Sequence, residues 1–184
     1  MNILAISGSL RAASLNSALL RATARLAPLN MSIQVFDGLG KLAFFNPDIE
    51  PTHPMTVAKL QARVAAADAL IIASPEYAHG ITGVLKNALD WLVSSEAFVS
   101  KPIALFNAAP RATHAYAALR EIVTTMSAQV IYESSIILPI SGSGLDENGI
   151  YNDPNISASI RTALQHLADA VTASREKEAC VTKL

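Results

Sequence analysis

Short apolar runs alternate along this chain with amphipathic helical patterns, and this alternation limits the folds that the chain can adopt. The apolar runs read ILAIS, MSIQVF, DALIIAS, KPIALFN and SSIILPI. Continuous apolar stretches of this length are typical of strands buried on both faces, as in parallel sheets. In the segments between them, apolar residues recur at i, i+3 and i+4, which indicates helices with one buried face. The order predicts an α/β fold with a doubly wound, five-stranded parallel sheet in a three-layer α/β/α arrangement.

The helical patterns and the loops before them locate the functional edge of the predicted sheet. The patterns start at Leu15, Val57, Ile81, Leu119 and Ile156. Ligands of such sheets bind beyond the C-terminal strand ends. The loops that carry function are therefore residues 7–16, 37–54, 74–82, 107–113 and 139–153. Trp91 stands at the margin of the third helix, where it is a candidate for contact with a partner subunit.

Composition bounds the size and assembly of the protein. The 184 residues fit one domain, residues 1–184. Charged residues make up only 16% of the chain and hydrophobic residues 51%, against roughly 25% charged residues in typical soluble domains. This balance indicates either a surface that is partly covered in an oligomer or simply an alanine-rich composition, and both interpretations stay open.

Charge and cysteine content narrow the class of partner and the compartment. The formal net charge is −1, which argues against nucleic acid or an anionic membrane as the main partner. Cys180 is the only cysteine, so an intramolecular disulfide and a CxxC or zinc site are excluded, and a reducing cytoplasm fits. The start MNILAISGSL lacks a basic region and a long apolar segment, so we expect neither a signal peptide nor membrane insertion.

The first loop, within ISGSLRAASLN, has the chemistry of an anion site. It lacks the G-x-G-x-x-G spacing of a Rossmann fold and the Gly-Lys-Ser/Thr ending of a Walker loop, which disfavours a dinucleotide pyrophosphate or a nucleoside triphosphate. Its hydroxyl groups, backbone N–H groups, Asn16 and Arg11 suit a terminal phosphate monoester at a helix start. Alternatively, Ser14 and Asn16 are ordinary helix caps and Arg11 is a solvated surface side chain.

The third loop, SPEYAHGITG, has the chemistry of a ring site. Pro75 fixes its own φ and Gly80 permits a turn or a close approach to a flat ligand. Such a loop presents main-chain groups to the polar edge of a ring, with Tyr77 and His79 beside it. The alternatives are a partly buried loop aromatic for Tyr77 and a surface polar residue for His79.

Taken together, GSLRAASLN and SPEYAHGITGVLKNALDWL resemble the NAD(P)H-dependent FMN reductase family. The signatures of that family, G-S-x-R-x-x-S-x-N and P-E-Y-N…G-x-x-K-N-x-x-D-W, are matched nearly in full. The family has a flavodoxin-like fold and includes quinone, chromate and azo-dye reductases. The resemblance implies that one group of residues holds the FMN phosphate end: Ser9, Arg11, Ser14, Leu15, Asn16 and Ser17. It implies that a second group lines the isoalloxazine: Pro75, Glu76, Tyr77, Ala78, His79 and Gly80.

The chain departs from the family pattern in two places. Ala78 stands where the family often has Asn, so a side-chain contact is lost there. The fourth loop, NAAPRATHA, has no glycine, and Pro110 removes an N–H group. Whether loop 107–113 contacts the flavin therefore stays open. Arg111 and His114 are candidates for contact with the second substrate or are plain surface residues.

The resemblance also implies an activity. Hydride passes from NADPH or NADH to bound FMN and then to a small acceptor such as a quinone, a flavin, chromate or an azo compound. Backbone N–H groups of residues 76–80 are then placed to stabilise the reduced ring. We expect no catalytic nucleophile, acid/base pair or metal, ping-pong kinetics at one shared face, and a homodimer or homotetramer. The alternatives are a flavodoxin-like electron carrier, which a net charge of −1 disfavours, and a non-redox module that binds a phosphate ligand.

Overall fold

A six-stranded parallel sheet forms the centre of the computed structural model, which describes the backbone of residues 1–181 and the side chains of residues 1–176. The side chain of Cys180 lies outside the described residues. The strands are β1 (Asn2–Ser7), β2 (Ser32–Val35), β3 (Ala69–Ala73), β4 (Pro102–Asn107), β5 (Gln129–Val130) and β6 (Ile136–Ile137). Their order is β2-β1-β3-β4-β5, with β6 also paired to β4. The predicted doubly wound parallel sheet is confirmed.

Helices cover both faces of the sheet because consecutive strand residues point in opposite directions. The helices are α1 (Leu15–Leu26), α2 (Met55–Ala66), α3 (Gly83–Asp90), α4 (Thr113–Thr125), α5 (Glu147–Asn152) and α6 (Pro154–Val181). On β1, Ile3 and Ala5 pack into the cluster that contains α1 and α6, whereas Leu4 and Ile6 pack into the cluster that contains α2, α3 and α4. Within the described residues no helix has both the length and the apolar character needed to cross a membrane.

Of the predicted fifth strand, residues 134–140, only Ile136–Ile137 forms a strand, β6, and the short strand β5 (Gln129–Val130) lies before the predicted segment. β5 pairs with the start of β4 and β6 with its end, and the turn 132–134 separates them. At the interruption, the Ser135 Oγ accepts a hydrogen bond from the Leu105 N–H at 3.0 Å, so a side chain replaces a strand carbonyl. The buried Ser134 hydroxyl donates to the Ala163 carbonyl at 2.7 Å. These side-chain bonds explain why an apolar run is not one continuous strand. Helix α5 was not predicted.

The suggestion that Trp91 reaches a partner subunit is wrong. Trp91 is only 1% exposed, and its indole Nε1 donates to the Ala43 carbonyl at 2.8 Å. Asn87 donates to the same carbonyl at 2.9 Å and accepts from the Phe45 N–H at 2.7 Å. Phe45 also meets the Trp91 ring edge-on, with centroids 5.0 Å apart. Two residues of the KNxxDW pattern therefore hold the second loop against α3.

Candidate active site

The first and third loops meet at the point where the chain leaves β1 and β3, the central pair of the sheet. The Gly8 N–H donates to the Ala73 carbonyl at 2.7 Å, and the Thr82 hydroxyl donates to the Gly8 carbonyl at 2.6 Å. A Cβ on Gly8 would lie 2.8 Å from Ser74 Oγ and 3.2 Å from Ser74 Cα. Glycine is therefore favoured here because a Cβ would force Ser74 of the third loop to shift. Both loops lie at the switch point of the strand order, where ligands of such sheets bind.

The start of α1 presents backbone donors that have no protein acceptor. Ser14 is the N-cap, and its hydroxyl oxygen accepts from the Ser17 N–H at 3.3 Å. Among the described residues, the N–H groups of Ala13, Leu15 and Asn16 donate to no acceptor. The Oδ1 of the buried Asn16 side chain also has no partner. Free N–H groups at a helix start are the ordinary means by which proteins bind phosphate.

The remaining polar side chains of the first loop differ in whether they are already bonded to other groups of the protein. The Arg11 guanidinium is exposed and makes no ion pair or hydrogen bond with any described residue. Ser9 accepts from the Arg11 N–H at 3.4 Å through its hydroxyl oxygen. The Ser17 hydroxyl is hydrogen-bonded to the Ser7 hydroxyl at 2.8 Å. Arg11 is thus a free cation beside the helix start, while Ser17 is engaged within the protein.

The third loop closes in a two-residue turn at the rim of the site. The Tyr77 N–H donates to the Gly80 carbonyl, and the Gly80 N–H donates to the Tyr77 carbonyl, both at 3.0 Å. Ala78 and His79 have φ of 48° and 59°, which is the pattern of a type I′ turn. The turn consumes two N–H groups of residues 76–80. The N–H groups of Glu76, Ala78 and His79 have no acceptor among the described residues.

Contacts to the fourth loop fix the third loop in place. The Glu76 carboxylate accepts from the Ala115 N–H at 2.9 Å, in the first turn of α4. The exposed rings of His79 and His114 stack with centroids 4.2 Å apart and planes 16° apart. Asn107 is buried and holds its own loop, because its Oδ1 accepts from the Ala109 N–H at 2.9 Å. Its side-chain oxygen is therefore already used inside the protein.

A cavity of about 380 Å³ lies between these three loops. Eight of the predicted cofactor-binding residues line it: Ser9, Arg11, Ser14, Leu15, Asn16, Pro75, Glu76 and Tyr77. Ser17, Ala78, His79 and Gly80 do not line it. The volume lies within the range of small-molecule sites, roughly 300–1,000 Å³. Two separate stretches of sequence thus contribute to one cavity.

Sequence reasoning missed part of this cavity. Ser74, Ala112 and Ser141 line it, together with Asn107, Ala108, Ala109 and Arg111 of the fourth loop. Ser74 directly follows an apolar strand, and this position at a strand end could have indicated a residue of the site. Ser141 lies in the loop 139–153, where no residue pattern indicated a site.

The residues present fit the phosphate and ring of FMN. Unpaired N–H groups and the free cation of Arg11 provide donors and charge for a phosphate at one end of the cavity, and the Asn16 Oδ1 is a free acceptor there. Exposed Tyr77 and the free N–H group of Glu76 provide an aromatic surface and a donor at the other end. Within the described residues, no three His, Cys, Asp or Glu side chains come together to hold a metal ion.

The fold and the cavity together define a flavodoxin-like α/β protein. The solved structure of the flavoenzyme FerB, an NAD(P)H:acceptor oxidoreductase from Paracoccus denitrificans, superposes with a TM-score of 0.83. It is 22% identical, and the match covers 94% of this chain and 97% of that one. At this identity the similarity supports the fold.

Sequence comparison then gives the family. The model of the NADPH-dependent FMN reductases matches residues 1–141, and the chain belongs to this family. An NAD(P)H-dependent FMN reductase from Pseudomonas aeruginosa is 32% identical over 173 residues, 91% of this chain and 93% of that protein. A 2-hydroxy-1,4-benzoquinone reductase from a Burkholderia species is 40% identical over 91 residues, 50% of this chain and 49% of that protein. The chain is a flavin-dependent NAD(P)H oxidoreductase.

Proposed function

We propose that this protein binds FMN in the cavity between its first, third and fourth loops and reduces small quinone-type acceptors with NADPH or NADH. The family match and the quinone reductases among the relatives support this activity and this class of acceptor. The observation that carries the proposal is the unpaired backbone N–H groups of Leu15 and Asn16, which line the same cavity as Tyr77.

In this proposal the first loop holds the phosphate. Leu15 and Asn16 donate through the backbone, Ser9 and Ser14 through hydroxyl groups, and Arg11 balances the charge. Ser17 acts indirectly, because its hydroxyl bond to Ser7 orients the Ser7 oxygen that accepts from the Ser9 N–H at 3.3 Å.

The third loop, Pro75 to Gly80, is proposed to hold the ring. FMN, when bound, supplies the hydride chemistry, and the protein supplies placement and electrostatics. The free N–H groups of Glu76, Ala78 and His79 are available to the polar edge of the ring. Tyr77, with 55% of its surface exposed, offers an aromatic face at the opening.

Reductant and acceptor are proposed to use the same open side of the cavity in turn, which gives ping-pong kinetics. Initial rates measured at several fixed quinone concentrations then yield parallel double-reciprocal plots. Intersecting plots would mean that both substrates bind together and would refute this part of the proposal.

We propose that the protein assembles as a homodimer or homotetramer, in the cytoplasm. Phe44, in the second loop, and Met55, at the start of α2, are 88% and 87% exposed. We expect the Phe44 side chain, which is large and apolar, to be covered by the partner subunit. Light scattering should give a dimer or tetramer mass and a smaller mass for Phe44→Ser. Leu29, between α1 and β2, is also fully exposed and provides the control Leu29→Ser, which should leave the mass unchanged.

One experiment tests the proposed reaction. The purified protein is reconstituted with FMN, and NADPH or NADH is added without oxygen while flavin absorbance is followed. Rapid bleaching, followed by recovery of the absorbance when a benzoquinone is added, supports the proposal. A flavin that stays oxidised would indicate an electron carrier, and failure to bind FMN would indicate a non-redox module.

A further inference from the structure

A second cavity, of about 300 Å³, adjoins the cavity proposed for FMN. This adjoining cavity lies between the fourth loop and the segment that follows β6, and it is lined by Ala109, Pro110, Arg111, Pro139 and Ser141. Ala109, Arg111 and Ser141 also line the FMN cavity. A substrate that meets the bound flavin can therefore extend a substituent into the adjoining cavity.

Hydrogen bonds within the fourth loop hold the wall that carries Arg111. The Asn107 Oδ1 accepts from the Ala109 N–H at 2.9 Å, and its Nδ2 donates to the Ala112 carbonyl at 3.3 Å. The Ala112 N–H donates to the Ala109 carbonyl at 2.9 Å, and Pro110 fixes its own φ between them. Arg111 therefore extends from a backbone whose conformation is set before a substrate binds.

The opposite wall, which carries Ser141, is held in a similar way. The Leu138 N–H donates to the Asn107 carbonyl at 2.8 Å, which ties this segment to the end of β4. Ser143 donates to the Ile140 carbonyl through its N–H at 3.2 Å and through its hydroxyl at 2.7 Å. Because both walls are fixed by bonds within the protein, the adjoining cavity is formed without a ligand.

Arg111 is the one charged residue of the described chain that lines the adjoining cavity. Its guanidinium is exposed and makes no ion pair or hydrogen bond with any described residue. Two other charged residues line the FMN cavity. Arg11 is assigned to the phosphate, and the Glu76 carboxylate accepts from the Ala115 N–H. Arg111 is therefore the cation that remains for a substrate once FMN is bound.

The lining of the adjoining cavity selects the kind of group that fits. Pro110 and Pro139 present apolar rings and have no N–H groups to offer. The Ser141 hydroxyl has no partner among the residues that the structure describes, so it is a free neutral donor. A guanidinium binds two oxygens of a carboxylate or sulfonate through its paired N–H groups. A volume at the lower end of the range for small-molecule sites suits one such substituent.

We propose that Arg111 determines acceptor specificity by binding an anionic substituent of the quinone, such as a sulfonate, a carboxylate or an ionised hydroxyl group. The substituent enters the adjoining cavity, where Arg111 pairs with it and the Ser141 hydroxyl donates one further hydrogen bond. Pro110 and Pro139 contact the carbon atoms beside it. This selectivity rests on the proposed quinone reduction and concerns only which quinones bind well.

The 2′-phosphate of NADPH is another anion that an arginine can bind. A ribose, a pyrophosphate and a second ribose separate this phosphate from the nicotinamide ring that must meet the flavin. The adjoining cavity shares three of its lining residues with the FMN cavity, so it lies too close to the flavin cavity to suit the far end of such a molecule. The position of Arg111 therefore favours the acceptor as the source of the anion.

Initial rates of the FMN-loaded protein with 1,4-naphthoquinone and with 1,4-naphthoquinone-2-sulfonate test the proposal. Arg111→Ala should raise KM for the sulfonate about tenfold or more, with a much smaller effect on KM for the neutral quinone and on kcat for either. Each quinone is compared with itself across the variants, which removes the difference between the two reduction potentials. Arg111→Lys retains the charge and should recover part of the lost affinity.

Arg120→Ala is the matched control for this experiment. Arg120 is also an exposed arginine, it lies on α4, and it lines neither cavity. Its substitution removes the same charge and should change KM for neither quinone. Naphthalene-2-sulfonate, which cannot be reduced, gives a measurement without turnover. Its dissociation constant, followed by flavin absorbance, should rise about tenfold or more in Arg111→Ala and stay unchanged in Arg120→Ala.

Two results would overturn the proposal. One is a KM for the sulfonate that is unchanged in Arg111→Ala, or that changes by the same factor as KM for the neutral quinone. The other is a higher KM for NADPH, but not for NADH, with the sulfonate unaffected, because that result assigns Arg111 to the 2′-phosphate. A parent protein that does not bind FMN or reduce 1,4-naphthoquinone would instead refute the proposed function, so the two failures are distinguishable.

Discussion

The Glu76 carboxylate accepts a hydrogen bond from the Ala115 N–H at 2.9 Å, although the two residues lie 39 positions apart. Helix α4 has no side-chain cap from its own N-cap residue, Ala112. Glu76 therefore caps this helix from another loop, and its negative charge lies near the positive end of the helix dipole. The bond couples the third loop to the fourth, so that both walls of the cavity are held by one carboxylate.

Replacing Glu76 tests this coupling. Glu76→Ala removes the acceptor and should lower the free energy of unfolding by about 1 kcal/mol, the usual effect of losing a helix cap. Glu76→Gln keeps an acceptor oxygen and should lose less. Denaturant unfolding of both variants measures the difference. Equal losses for the two substitutions would mean that the charge, and not the acceptor oxygen, provides the stabilisation.

A side chain at Gly8 should destabilise the protein. Gly8→Ala places a Cβ 3.2 Å from Ser74 Cα, which is backbone, and 2.8 Å from Ser74 Oγ, so the two loops must move apart. We expect a loss of about 1–3 kcal/mol in unfolding free energy and weaker FMN binding. The matched control is Gly83→Ala at the start of α3, because a Cβ there meets nothing within 4 Å. Thermal melts of both variants show whether the lower stability comes from the steric contact at residue 8 or from replacing a glycine as such.

The turn at Ala78 should be improved by substitution. Ala78 has φ of 48°, a left-handed conformation that costs residues with a Cβ about 1–2 kcal/mol. Glycine removes this strain but loses more backbone entropy on folding than alanine does. The net effect of Ala78→Gly should be a stabilisation of about 0.5 kcal/mol. Ala78→Asn should act in the same direction, since Asn tolerates this region. The control Ala117→Gly, at an exposed position within α4, should destabilise by about 1 kcal/mol. Chemical denaturation compares the three variants.

Asp68 should contribute stability that depends on pH. Burial by itself raises the pKa of Asp68, but hydrogen bonds from the Asn2 N–H at 2.7 Å and from Arg175 at 2.5 Å lower the pKa below its usual value of 3.8. A carboxyl with a lowered folded-state pKa stabilises the fold above its unfolded pKa, and this contribution is lost as the pH falls through the folded pKa.

Melting temperatures of the parent and of Asp68→Asn, measured from about pH 7 to about pH 3, test this linkage. The parent should melt higher at neutral pH, and the difference should shrink on the acidic side of the unfolded pKa. A difference that stays constant over this range would mean that the Asp68 charge does not contribute.

Periodicity in the sequence was sufficient to predict the sheet, its helical layers and the edge that carries the site, because strand and helix burial patterns are local properties. Interactions between distant segments were not predictable in this way. Strand pairing along this side of β4 is interrupted between β5 and β6 because the Ser135 Oγ accepts from the Leu105 N–H, on β4. Trp91 is buried because Ala43, in a loop of irregular structure, covers it. The helical pattern alone showed which face is apolar but not what would lie against it.

The same distinction applies to the site. The two motifs predicted the residues that line one cavity, since both follow central strands. They did not predict that Glu76 is engaged as a helix cap, that Ser17 is bonded to Ser7, or that Ser141 contributes a wall. Each of these depends on which segment of the chain folds over the sheet edge.

Arg11 provides the most direct test of the phosphate site. Its guanidinium is exposed and makes no bond to any described residue, so the folded protein gains little from it without a ligand. Arg11→Ala should leave the melting temperature of the apoprotein unchanged and weaken FMN binding by about 1.5–3 kcal/mol, roughly tenfold to a hundredfold, as expected for bonds to a charged group.

Arg111 lines the same cavity from the fourth loop and is also exposed. Arg111→Ala is therefore a matched control for the loss of one positive charge from the cavity. Riboflavin lacks the phosphate, so its affinity should not change in Arg11→Ala. Fluorescence titration with FMN and with riboflavin measures both affinities for each variant. If Arg11→Ala binds FMN as tightly as the parent, or weakens riboflavin to the same extent, Arg11 does not pair with the phosphate and the first loop serves another purpose.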